Sequence, residues 1–138
     1  MKIQDTLSDS EKELDITKKV RIYLCGVTVY DVSHIGHART IIVFDTLRRF
    51  LEANGTNVEF IQNFTDVDDK IIKKANESGE TAEIISNKNI QSYFEDFNRL
   101  NVKAATEYPK ATEHIEDMIN LIQNLVDKDL AYVAKNGV

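Results

Sequence analysis

The chain has 138 residues, 42% of them hydrophobic and 8% aromatic, with five Gly, one Pro and no Trp. Apolar residues recur along nearly its whole length, which excludes a disordered chain and fits a single domain that buries roughly two thirds of its unfolded surface. Lys and Arg number 17 against 23 Asp and Glu, a net charge of −6; this argues against a broad, sequence-independent grip on nucleic-acid backbone and leaves room only for a small basic patch.

The N-terminal stretch MKIQDTLSDSEKELD is charged from its start and lacks the apolar core of a signal peptide. No segment has the roughly 18 consecutive apolar residues of a membrane span. The one cysteine, Cys25, has no partner for an internal disulfide, which fits a reducing compartment. A cytoplasmic protein is the expectation. From Val20, VRIYLC alternates apolar with polar or small side chains and predicts a buried strand ending at the turn residue Gly26. VTVYDVSHIGH then leads into a helix whose apolar face is read as Val43, Leu47, Phe50 and Leu51. That helix should stop at Asn54-Gly55. NVEFIQN (57–63) predicts a second strand, making a βαβ unit with parallel strands and a right-handed crossover.

Thr65 or Asp66 is the expected N-cap of the next helix, with Asp68 or Asp69 as a weak capping-box partner. This helix runs through Ile71, Ile72 and Ala75, with Lys73 and Lys74 in its last turn and Gly79 closing it. Ile90, Tyr93, Phe94, Phe97 and Leu100 form the stripe of a further helix. A last stripe, from Ala111 through Ile115, Met118, Ile119, Ile122 and Leu125 to Val126, is entered after Pro109. The two are expected to pair antiparallel, on the sheet or on each other. The final AYVAKNGV reads as a strand that has barely begun, and Asn136-Gly137 as a hairpin signal without its second arm. The expectation is therefore the front part of a longer protein.

No G-x-x-x-x-G-K-[ST], no G-x-G-x-x-G, no Cys-x-x-Cys and no serine nucleophile elbow occurs. What stands out is His34-Ile35-Gly36-His37, between the first strand and the first helix. Two imidazoles three residues apart share one side of a helical turn, beside unpaired backbone N–H groups and the positive end of the helix dipole. Gly36 lets a ligand approach the backbone. This is an anion site where α/β sheets bind nucleotides; the bland alternative is two surface histidines on an ordinary loop.

YLCGVTVYDVSHIGHART followed by FIQNFTDVDDKIIKKANESG closely resembles cysteinyl-tRNA synthetase, a class I aminoacyl-tRNA synthetase. DTL near the start, DFNRLN, YPKATEHI and the final AYVAKNG resemble it too, so the likeness runs collinearly over essentially the whole chain. The resemblance implies an α/β, Rossmann-like nucleotide-binding fold, a parallel sheet with flanking helices. Residues 1–80 would be the first half of the catalytic domain and 81–138 the helical start of a connective insertion. It implies that His34 and His37 contact the ATP phosphates and stabilise charge on the α-phosphate, with Gly36 between them, and that Gly26, Thr28 and Thr65 line the pocket for substrate cysteine. Cys25 matches a ligand of a Zn2+ ion that binds the substrate thiolate, its other ligands lying beyond Val138. A thiolate bond to zinc selects by softness and ionisation, where a shaped pocket separates cysteine from serine poorly.

The implied reaction is activation of L-cysteine by ATP with Mg2+, then transfer to tRNA(Cys), in a cytoplasmic, monomeric protein. The chain lacks the family's Lys-Met-Ser-Lys-Ser loop, so little or no aminoacylation is expected from it alone. Two other readings stand beside this one: a related zinc-dependent cysteine ligase acting on an amino sugar, and a non-catalytic truncated paralogue serving as a binding module. For the residues themselves, Cys25 alone reads as a buried structural thiol. A local Cys25–His34–His37 zinc site would consume the phosphate-binding histidines. Asp66, Asp68 and Asp69 read as helix capping in preference to a Mg2+ site, Tyr93, Phe94 and Phe97 as helix core, and His114 carries no chemistry.

Overall fold

A computed structural model describes residues 1–138. Val20 and Leu24 are buried while Arg21 and Tyr23 face outward, so the alternating segment forms strand β3 (Val20–Leu24). It follows a hairpin of β1 (Lys2–Asp5) and β2 (Ser10–Glu13), paired antiparallel from Lys2–Glu13 to Asp5–Ser10. The sequence gives no sign of this hairpin, because its strands are nearly all polar and exposed. β3 pairs in parallel with β4 (Val58–Gln62), in register from Val20–Val58 to Leu24–Gln62. Helix α1 (Ile35–Ala53) is the crossover, ended by Asn54 and Gly55 as expected.

The inward face of α1 differs from the expected one. Val43 and Phe50 are 59% and 51% exposed, whereas Ala38, Ile41, Arg48 and Leu51 are buried. Arg48 turns inward because its charge is met there. Its Nε donates to Glu52 at 3.0 Å, its Nη1 to the Ala104 carbonyl at 2.5 Å, and its guanidinium lies 5.7 Å from the Phe60 ring centre. A stripe drawn through apolar residues alone places such a residue on the wrong side.

After β4 come α2 (Asp69–Ser78) and α3 (Ala82–Arg99), packed on each other. The N-cap of α2 is Asp68, whose carboxylate accepts from Lys70 N–H at 2.8 Å; neither Thr65 nor Asp66 caps it. Lys73 and Lys74 lie in the middle of α2 and not in its last turn, and Gly79 closes it in the left-handed conformation. α3 contributes Ile85, Ile90, Tyr93 and Phe97 to the core, where Tyr93 meets Phe64 edge-on at 5.0 Å. Phe94 stays 42% exposed.

α2 and α3 together are a second crossover. Residues 106–110 return alongside β4, with Thr106 N–H donating to Phe60 O (2.7 Å), Gln62 N–H to Glu107 O (3.1 Å) and Phe64 N–H to Pro109 O (2.9 Å). The bridges Ile61–Glu107 and Phe64–Lys110 are parallel. The mixed α/β fold is thus a parallel sheet with flanking helices, widened on the β4 side, while no backbone hydrogen bond reaches the outer edge of β3.

The expected antiparallel helical pair does not form. A 3₁₀ turn (Ala111–His114) leads into α4 (Ile115–Asp127), and none of the α4 side chains is buried. Its apolar residues Ile115, Met118, Ile119, Leu121 and Ile122 are exposed. The chain ends in a tight turn, with Ala134 N–H on Gly137 O at 2.7 Å, and not in a strand. No helix is long and apolar enough to cross a membrane.

Candidate functional site

β3 and β4 end at Leu24 and Gln62, yet the two chains stay together beyond. Thr65 N–H donates to Val27 O at 3.1 Å and Val29 N–H to Thr65 O at 3.3 Å, so Thr28 and Thr65 face each other in a further parallel bridge. Between the strands and this bridge, Gly26 crosses Asn63. A Cβ on Gly26 would lie 1.3 Å from the Asn63 carbonyl oxygen. Only glycine permits that approach, so packing dictates this residue before any ligand is considered.

Asn63 is the organiser that sequence reasoning missed. Its Oδ1 accepts from Gly26 N–H at 2.8 Å and from the Tyr23 hydroxyl at 2.9 Å, and its Nδ2 donates to Thr65 Oγ1 at 3.4 Å. One amide thus ties together the ends of both strands and the bridge. Its only sequence signal is an asparagine that breaks the apolar run of the second strand. The carboxyl ends of adjacent parallel strands are where open α/β sheets bind their ligands, and Gly26, Thr28 and Thr65 are all there.

Cys25 closes β3 and is exposed, its Sγ 3.8 Å from the Gly26 carbonyl oxygen. It is therefore not the buried structural thiol its residue type suggests. Zinc requires about four donors, about three of them from protein when one position is kept for a substrate. Nowhere do three His, Cys, Asp or Glu side chains come together to hold a metal ion, so the local Cys25–His34–His37 site does not exist. The residues of this chain do not by themselves fit zinc. The same observation removes a Mg2+ site at Asp66, Asp68 and Asp69. Asp68 caps α2, and Asp66 is buried and accepts from Thr112 N–H (3.0 Å) and Oγ1 (2.5 Å).

His34 and His37 stand at the start of α1 with their rings stacked, centroids 3.8 Å apart and planes 18° off parallel. His34 is the N-cap. Its Nδ1 accepts from Gly36 N–H at 3.1 Å, while Nδ1 of His37 accepts from His34 N–H at 3.3 Å. Two of the N–H groups expected to be open to an anion are thus taken by the imidazoles themselves. The close approach to Gly36 is likewise made by the His34 ring: a Cβ there would lie 2.9 Å from His34 Cε1. Burial, with the neighbouring His34 second, lowers the His37 pKa below its ordinary value of 6.5. That shift favours the neutral form of the His37 ring.

Asn89 of α3 donates to Val29 O at 3.0 Å, bracing the loop that leads to the histidines. His114 pairs with Asp117 at 2.9 Å and lines, with Tyr23, Asn63 and Met118, a depression on the outer side of the strand ends.

The family of tRNA synthetases class I (C), catalytic domain, matches residues 12–138. Over its full length the chain is 52% identical to a cysteine–tRNA ligase of Caldicellulosiruptor saccharolyticus and 50% identical to that of Archaeoglobus fulgidus, covering 30% of each. It is 48% identical to the cysteine–tRNA ligase of Thermococcus kodakarensis, of which it covers 29%. The chain spans about 30% of the length of the curated relatives it matches.

Proposed function

This chain belongs to the family of class I (C) tRNA synthetase catalytic domains, and on that premise we propose that it supplies the nucleotide-facing part of a cysteine–tRNA ligase. The reaction begins when the carboxylate of L-cysteine attacks the α-phosphate of ATP in line. Pyrophosphate leaves, and the cysteinyl group then passes to the 3′ end of tRNA(Cys). Such chemistry is positioning and charge stabilisation, with no covalent enzyme intermediate to form.

The observation that carries the reading is the stacked pair His34–His37 opening the crossover helix beside the tied ends of two parallel strands. His34 and His37 contact the triphosphate, which arrives with Mg2+, and stabilise the charge that develops at the α-phosphate. Gly26, Thr28 and Thr65 line the pocket for the amino acid. Cys25 is exposed at the strand end, where its sulfur would hold one position on a zinc ion, the other ligands coming from outside these 138 residues. When bound, such an ion would supply a soft partner for the substrate thiol. Residues 1–80 form the first half of the catalytic domain, and the helical insertion begins within 81–138, after residues 106–110 have rejoined the sheet.

Cysteine-dependent exchange of pyrophosphate into ATP tests the proposal in the full-length gene product. Exchange that falls at least about a hundredfold in His37→Ala agrees with loss of transition-state donors. Exchange unchanged in His37→Ala, or driven by another amino acid, refutes it. The 138-residue chain alone is expected to exchange little or nothing.

A further inference from the structure

Both imidazoles accept hydrogen bonds from their own helix, and that fixes where their protons are. A ring nitrogen that accepts from a backbone N–H carries no proton itself, so a neutral ring in that position holds its proton on the other nitrogen. Nδ1 of His34 takes the Gly36 N–H and Nδ1 of His37 takes the His34 N–H. We infer that His34 and His37 are a locked pair of neutral Nε2–H donors, held in that tautomer by the first turn of α1, with the missing Cβ of Gly36 giving the folded-back ring its room.

Two further observations agree. Two stacked rings 3.8 Å apart repel each other if both are protonated, which disfavours a doubly charged pair. A Cβ on Gly36 would stand 2.9 Å from Cε1 and 3.0 Å from Nδ1 of His34, so the glycine is required by the ring's position. The depression beside His34 is lined by Asp96 and Arg99 of α3, one charge of each sign.

The lock has a chemical use, which rests on the phosphate contact proposed above. Two N–H donors with fixed direction stabilise developing charge on a phosphate oxygen without reorganising. Being neutral, they hold the departing pyrophosphate less firmly than two cations would. The ligand class is an oxyanion with two adjacent acceptor oxygens, and the histidines supply donors with no net charge.

The chain has three histidines, so 15N-histidine labelling resolves each ring. At pH 7 the rings of residues 34 and 37 are expected in the tautomer with Nδ1 unprotonated. The amide protons of Gly36 and His34, unpaired in an ordinary first turn, are expected to exchange slowly. His34→Ala should release the Gly36 amide and His37→Ala the His34 amide, each accelerating at least about fivefold and leaving the other less changed. Nδ1–H or imidazolium signals at pH 7, or exchange indifferent to both substitutions, would overturn the lock. Adding magnesium–ATP to the full-length protein separates the two claims. Unmoved Nε2 signals with the tautomer intact sink the phosphate contact and leave the lock standing.

Discussion

Gly26 and Asn63 cross so closely that the amide N–H of one sits 2.8 Å from the side-chain oxygen of the other, with no room for a methyl group between the two backbones. What a new Cβ meets there is a carbonyl, which cannot rotate away as a side chain can. Gly26→Ala must therefore part the strand ends, and we expect a loss of about 3 kcal/mol or more. A urea titration in which Gly26→Ala matches the parent chain would disprove the crossing. Gly36→Ala is the contrast, because its obstacle is a ring that can swing out; about 1 kcal/mol, the worth of a helix cap, is the expected cost.

Arg48 is buried with a hydrogen bond to Glu52, another to the Ala104 carbonyl and a ring face beneath it. Arg48→Met keeps the volume and strands both acceptors, although Glu52 retains Lys103 at 2.6 Å. The expected loss is about 1–3 kcal/mol. Arg48→Lys should recover little of it, since a single ammonium cannot serve two directions as a guanidinium does. Equal stability of Arg48→Lys and the parent would contradict this.

Acid should weaken the fold in two separate windows. The folded-state pKa of His37 lies below 6.5, so its neutral form is favoured by folding; that stability is present above pH 6.5 and is lost as pH falls towards the lowered value. Glu52 is held below its ordinary 4.5, chiefly by Lys103 and then by Arg48, so its share persists until pH falls through 4.5 and beyond. Denaturant midpoints between pH 7.5 and 5 should flatten in His37→Gln, and those below pH 4.5 should flatten in Glu52→Gln. An unchanged profile in either variant would remove that group from the account.

Cys25 makes no buried contact, so Cys25→Ser should leave the stability of this chain within about 0.5 kcal/mol. The native thiol should react with an aromatic disulfide reagent without denaturant. In the full-length protein the same substitution should reduce zinc content. Unchanged zinc stoichiometry in Cys25→Ser would remove residue 25 from the metal.

The parts of the fold visible in the sequence are those governed by local periodicity. β3, β4, their parallel pairing and the stop of α1 at Asn54-Gly55 follow from alternation and a turn residue. The return of residues 106–110 to β4 does not, because this polar, proline-containing segment is held by backbone hydrogen bonds and has no apolar alternation of its own. Nor does the register of α1, where a charged residue is buried through partners 4 and 56 positions away. In the site, the histidine pair and the cysteine are legible as residue types, while the exposure of the thiol is not. Asn63 and the self-capping of the imidazoles are not, since both depend on which atom faces which across a crossing of chains.

The open side of β3 has a consequence for handling the protein. Its five residues carry a straight row of donors and acceptors with no strand beside them, and such a row is a template for any extended segment that drifts against it. Only the outward Arg21 guards it with charge, and that guanidinium is already engaged by Glu59 at 3.0 Å. In concentrated solutions of this 138-residue chain, edge-to-edge docking is the association to watch for, and Tyr23→Lys is the gatekeeper that would discourage it.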